Sequence, residues 1–538
     1  MSAVEELCRS YLDARWHFDP AAASAAGLAE HDGRLGRFDD ASVRELLAAY
    51  RSLAGAAEEL DVEDQQEEID RTALLDELRV QLFRFQHEEP HRRDPSFWLR
   101  HLAEGLHAVA ERPDADAAAA ADLAARLAAI PDYLTAAAAT LHEPPRILAD
   151  AALGMLGGTA ELLVGLMQRC TPLAGDGVPA LEDATREALA ALKAFGEAVS
   201  GRIAPSADPH AFAVGEAQFN RRLHHEHALL AGAPELWRYG LHLRDEVEAE
   251  LAQVARRIDP SRPWRDLVER LREEEAPESG PVLTLYDAEL ARARRFVEER
   301  GLVPAVDAPV AVAPTPDWLR PVVPVAAYRP SPPHLPSQRA TLLVTLPPGP
   351  VGSEARRRLL REHAMPGVPA AVAHEGWPGR HAFAAARARL GLVRRTIGTQ
   401  LTADGWALYA LDAMQEAGWD RRPEERLFRL LRLLRAAVRV DLDIGLHTRG
   451  LSPEEGVAEL LRRLPMDRRT AEAEVLRCCQ APTYGLCEAV GRRELLALRE
   501  AWAARDGDAF SAPRFHAEVL RYGALPVTLV RWGMGLDG

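Results

Sequence analysis

The residues best suited to chemistry lie in His374-Glu375-Gly376-Trp377-Pro378-Gly379-Arg380-His381. An imidazole can hold a metal ion while an adjacent carboxylate takes the proton of a metal-bound water. The spacing is not HExxH, because Pro378 stands four places after His374 and offers no donor. His381 is seven places on. In an uninterrupted helix the two rings would share a face but lie about 10 Å apart along the axis. Pro378-Gly379 must break that helix, and the bend could carry His381 inward. The competing reading is a helix C-terminus followed by an ordinary turn.

Two further groups could join this pair. Asp404, in Thr402-Ala403-Asp404-Gly405-Trp406, could complete a site of two imidazoles and one carboxylate, or serve only as a charge near a helix N-terminus. Asp412 follows two turns later on nearly the same face and is a candidate for orienting a ligand. Arg439, Asp443 and His447 are spaced by four and share one helical face. Arg439 could bind a substrate carboxylate, or pair with Asp443. His447 could donate to a developing oxyanion. Tyr328 is expected on the substrate side. Cys487 has no nearby histidine in the sequence to make it a nucleophile.

These groups need rigid elements. Residues 1–301 are rich in Ala, Leu, Glu and Arg, with apolar residues recurring at steps of three and four, which predicts a helical scaffold. Residues 302–350 are proline-rich and poor in charge, which excludes a long helix and predicts an extended or β insert, with a strand at Thr341–Leu346. Helical periodicity returns over 351–538. The expected fold is all-α, with two helical regions around a cleft and a small Pro-rich extended or β insert.

Composition bounds the function. The 538 residues are 47% hydrophobic and 27% charged, which supports a sizeable core and a soluble surface. The net charge of -16 and short, interrupted arginine runs argue against nucleic-acid binding. The five cysteines form no CxxC pair, so neither a disulfide framework nor a thiolate zinc knuckle is expected. The first twenty residues carry no apolar secretion core, and no uninterrupted apolar run reaches a membrane-spanning length. Cytoplasmic residence without a membrane partner is therefore expected. There is no GxGxxG and no P-loop, so no nucleotide cofactor is indicated.

The ordered set YLDARWHFDPAAASAAGLAEHDGRL, DRTALLDELRVQLFRFQ, AHEGWPGRH, DGWALYA, DIGLH and FHAEVLRYGALP resembles the DUF885 family of bacterial proteins nearly end to end. That resemblance implies an all-helical metallohydrolase, similar in design to zinc carboxypeptidases and oligopeptidases. By it His374, His381 and Asp404 would hold zinc, Glu375 would be the general base, and His447 would assist.

The chain also departs from the family pattern. HExxPGHH becomes a text in which Arg380 replaces the first histidine of the final pair. EGWALYAE has Asp404 for its first Glu and Leu411 for its second, with Asp412 adjacent. DTGxH is retained at Asp443 and His447. In QALSYKxG, Glu488 and Ala489 stand at the Tyr and Lys positions. Two functions therefore compete. One is a zinc-dependent peptide or amide hydrolase acting on a small substrate through metal-activated water. The other is a catalytically degenerate helical binding or interaction protein that has lost the metal, with Arg380 filling its place and bridging to Asp404.

Overall fold

Helix formation in the first part of the chain follows directly from apolar spacing and capping. Helix α1 (Ala3–Phe18) begins where the Ser2 hydroxyl accepts from the Glu5 N–H, and it buries Val4, Cys8, Tyr11 and Leu12, one face of a 3.6-residue period. Helix α2 (Pro95–Ala110) contributes Phe97 and Trp98, both fully buried with Phe38 edge-on to each. Helices α3 (Arg146–Ala174) and α4 (Val178–Glu197) pack together. The computed structural model describes residues 2–536, apart from 111, 113–115, 278–281, 317–318, 321–322, 324, 336–339 and 348–352.

The chain divides into two compact units, Met1–Val214 with Pro332–Ser337, and Gly215–Ser331 with Gln338–Gly538. In the first, the stretch Arg146–Arg202 is long and apolar enough by composition to cross a membrane, with a mean hydropathy of 1.5 in its most apolar window. Asp150, Glu161 and Arg169 interrupt the stretch, so the expectation that no uninterrupted apolar run reaches that length is unaffected. A third of that window is buried, and Leu148, Leu162, Leu163 and Leu166 point into the unit, a pattern that the core helix of a soluble protein shares.

The second unit holds helices α5 (Ala233–Ile258), α6 (Val282–Arg300), α7 (Val368–Glu375), α8 (Arg380–Arg387), α9 (Gln400–Glu416), α10 (Pro423–Thr448), α11 (Arg468–Gln480) and α12 (Cys487–Asp506). Helix α10 is buried on every side from Ala436 to His447. Helix α9 meets α12 at an unusually close crossing. A Cβ on Gly491 would lie 2.0 Å from the Leu401 carbonyl oxygen, and one on Gly405 would lie 2.4 Å from the Gly491 carbonyl carbon. Only paired glycines allow that approach. It brings Asp404 and Glu488, each within a turn of its glycine, to the same level.

The insert forms a three-stranded sheet in the order β1-β3-β2, with β1 (Val310–Pro314) parallel and β2 (Ala326–Arg329) antiparallel to β3 (Ala340–Val344). The central strand falls where Thr341–Leu346 predicts one. The protein is mainly helical with a minor β element, as its sequence implies.

Candidate functional site

The site starts at the break after α7. The Gly376 N–H reaches the Val372 carbonyl at 2.8 Å and the Gly379 N–H reaches that of Ala373 at 3.0 Å, closing the helix tightly. A Cβ at Gly379 would sit 2.0 Å from the His374 carbonyl oxygen, so the turn requires glycine there. The Trp406 indole N–H donates to the Pro378 carbonyl at 3.0 Å and ties the turn to α9. The predicted bend therefore exists, but it directs Arg380 rather than His381 toward His374 and Asp404.

Each side of the Arg380 guanidinium faces a different carboxylate. Nη1 donates to Asp404 Oδ1. Nε lies 3.5 Å from Glu375 Oε2, and Nη2 lies 3.5 Å from Glu488 Oε1. His374 Nδ1 is 2.8 Å from Glu375 Oε1, and its Nε2 is 3.7 Å from Glu488 Oε1. Asp404 is 2% and Glu375 8% exposed. Burial alone would raise the Glu375 carboxyl, but His374, Arg380 and Arg432 outweigh it and hold it well below the usual range. Glu488 is likewise held low against its burial by Arg439, His374 and Arg380. Burial would lower Arg380, yet its three carboxylates raise it.

His381 is turned elsewhere. Its Nε2 lies 3.0 Å from the Ala308 carbonyl, its Nδ1 lies 3.3 Å from the Tyr328 hydroxyl, and Trp377 packs edge-on against it. Burial lowers its pKa. Tyr328 also reaches the cluster through its backbone, whose N–H donates to Glu375 Oε2 at 3.1 Å. Burial pushes its phenol up.

The second set of expected residues has protein partners of its own. Arg439 Nη1 lies 3.3 Å from Glu488 Oε2 and its Nε 3.2 Å from Glu474 Oε2, with the Tyr484 ring beneath it. Its charge is thus already matched. Asp443 accepts from the Thr483 and Leu486 N–H groups, both at 3.3 Å, and burial raises its carboxyl to about 7. His447 lies 2.9 Å from the Cys478 carbonyl, stacks on Phe219, and is lowered to about 4 by burial. Neither faces the Arg380 cluster. Asp412 is held by Arg492 Nε at 2.6 Å. Cys487 is buried, and burial pushes its thiol up.

Sequence reasoning missed Glu474, Arg435 and Arg432. Arg435 and Arg439 share Glu474, which these neighbours hold down to about 2 against its burial. The 432–435–439 spacing on one helix face was the available signal. Glu474 lies on α11 and its pairing follows from packing alone.

A catalytic zinc needs about three converging N or O donors with one open position. Here a guanidinium sits among the acids, and one of the two expected imidazoles is committed to Ala308 and Tyr328. Among the described residues no cluster of three or more His, Cys, Asp or Glu is arranged to hold a metal ion.

The chain belongs to the DUF885 family of bacterial proteins of unknown function, whose profile matches residues 20–534. No curated protein matches it. Among solved structures it is similar to a putative lipoprotein of unknown function from Shewanella oneidensis, with a TM-score of 0.83 at 20% identity, covering 99% of this chain and 100% of that one. It is also similar to a putative lipoprotein from Colwellia psychrerythraea, with a TM-score of 0.85 at 16% identity and full coverage of both chains. At these identities the likeness establishes the fold. The expectations of cytoplasmic residence and of no membrane partner are withdrawn, because both similar structures are described as putative lipoproteins.

Proposed function

We propose that this chain is a ligand-binding protein on the DUF885 scaffold, in which a guanidinium–carboxylate cluster has replaced a catalytic metal. The observation that carries this reading is the position of Arg380, bonded to Asp404 and within 3.5 Å of both Glu375 and Glu488. The metallohydrolase reading would require Arg380 to leave three carboxylates and His381 to abandon Ala308 and Tyr328. Buried ion clusters contribute little net stability over apolar packing, so a cluster of this size is better explained by binding than by folding. It is also open on one side, since the side chains of Arg380 and Glu488 remain 24% and 16% exposed.

Metal analysis after purification in zinc-replete medium tests the reading. The wild-type chain is expected to carry well under one equivalent of zinc and to hydrolyse no amide. Arg380→His, which restores the family residue, is expected to gain zinc affinity. One equivalent of zinc in the wild type, with amide hydrolysis abolished in Glu375→Gln, would refute it.

A further inference from the structure

The first unit holds a polar cavity of about 420 Å³. All the residues that line it lie between Asp40 and Ser206, so it is separate from the Arg380 cluster. Backbone bonds fix its wall. The His142 N–H donates to the Arg92 carbonyl and the Ser206 N–H to the Pro144 carbonyl, both at 2.9 Å. Two lining residues, Glu89 and Glu143, hold left-handed backbones at φ 46° and 41° although neither is glycine. Such conformations are costly and gather at binding sites. The charges in the cavity are unevenly used. Arg92 donates through Nε and Nη2 to the two Asp40 oxygens at 2.9 and 2.8 Å, and through Nη1 to Glu89 Oε1 at 2.9 Å. Arg93 and Glu143 are not engaged in this way. Among the described residues the Arg93 guanidinium donates only to the Ala211 carbonyl, at 2.6 Å, and the Glu143 carboxylate has no hydrogen bond or ion pair. His91 stands beside Asp40, with Nε2 3.7 Å from Oδ1 and a buried Nδ1 that has no hydrogen-bond partner among the described residues. Burial lowers its pKa to about 4, so it adds no charge near neutral pH.

We propose that this cavity binds a small zwitterion of the free amino-acid type, its carboxylate on Arg93 and its ammonium on Glu143. Charge selects that class. Asp40, Glu89 and Glu143 line the cavity against Arg92 and Arg93, one carboxylate more than the guanidiniums. An anion would meet that excess of negative charge, and a simple amine would leave Arg93 unmatched. A zwitterion answers both unengaged groups and brings no net charge. Arg93 presents a planar fork that matches a carboxylate through two parallel hydrogen bonds. The volume falls within the roughly 300–1,000 Å³ of small-molecule pockets.

The test uses the full chain with glycine, L-leucine and L-glutamine as zwitterions, their amides as cations and their N-acetyl derivatives as anions. Saturation-transfer NMR and calorimetry measure binding. At least one zwitterion is expected to bind about fivefold or more tightly than either of its derivatives, the size of one partly exposed ion pair. Arg93→Gln is expected to erase the preference over the amide while keeping that over the N-acetyl form. Glu143→Gln is expected to do the reverse. Glu143 is exposed, so if Arg93→Gln does not fold, the Glu143 variant alone decides. Equal binding of the three forms, a preference that survives the substitutions, substitutions that weaken every form alike, or no binding of any zwitterion at millimolar concentration overturns the proposal.

Discussion

Replacing Arg380 with methionine removes the charge at the centre of the site while keeping much of the side chain's length. Asp404 would lose its only direct cationic partner among the described residues, and Glu375 and Glu488 would each lose a contact at 3.5 Å. Asp404 and Glu375 are nearly inaccessible, so water cannot compensate. Deleting one member of a buried ion pair typically costs about 3–5 kcal/mol, and that loss is expected here near neutral pH.

The pH dependence supplies a sharper test. In the wild type Glu375 is held below its unfolded value. Its contribution is present above the unfolded value of about 4.3 and is lost as pH falls through the folded one. In the variant Glu375 keeps His374 and Arg432 but loses Arg380, so its folded value moves back towards the unfolded one. Less of its contribution is then present above the unfolded value. Urea unfolding of both proteins in the presence of chelator should therefore show a stability gap that is full above about pH 5 and narrows as pH falls below about 4. A gap that does not change with pH, or one below about 1 kcal/mol at neutral pH, would refute the electrostatic account.

Other perturbations address the elements around the site. Gly491→Ala would place a methyl 2.0 Å from the Leu401 carbonyl oxygen and should cost about 3 kcal/mol or more, read as a fall in urea midpoint. Asp443→Asn should remove a pH-dependent loss. Burial raises Asp443 to about 7, so its contribution is complete below its unfolded pKa and disappears as pH rises through 7. The variant should match or exceed wild-type stability near pH 8, measured by urea unfolding. Tyr328→Phe removes the hydroxyl near His381 but keeps the N–H that donates to Glu375, so a loss of only about 0.5–1.5 kcal/mol is expected by the same method.

Helical periodicity, the proline-rich composition of the insert and the breaker pair Pro378-Gly379 expressed local physics, and the corresponding elements were legible before the structure. The Arg380–Asp404 bridge was legible as the alternative to a metal, because a cation near a helix break and an acid on the next helix have few other options. The direction of His381 was not. Once the turn ends helical continuity, the ring's face is decided by Trp377, Tyr328 and Ala308, the last two of which lie on the distant insert. Asp443 and His447 show the same limit. An i,i+4 pair reads alike on a solvated helix and on a helix enclosed on every side, and α10 is the enclosed kind. Gly405 and Gly491 look in sequence like weak points of two helices, whereas packing makes them the contact that sets Asp404 beside Glu488.

The departures from the family pattern also compensate one another. Arginine in place of histidine at 380 adds a permanent cation, and glutamate in place of tyrosine at 488 adds an anion 3.5 Å from it. Aspartate in place of glutamate at 404 is one methylene shorter, which leaves room for the longer guanidinium side chain that bonds to it. Ala489, at the position of the family lysine, is fully buried within α12, and its carbonyl accepts from Tyr239 at 3.0 Å. Erosion of an unused active site would leave unmatched charges, because each isolated change of this kind in a buried setting costs several kcal/mol, on the order of an ion-pair break. Instead every new charge meets a partner. That pattern fits the proposed binding role.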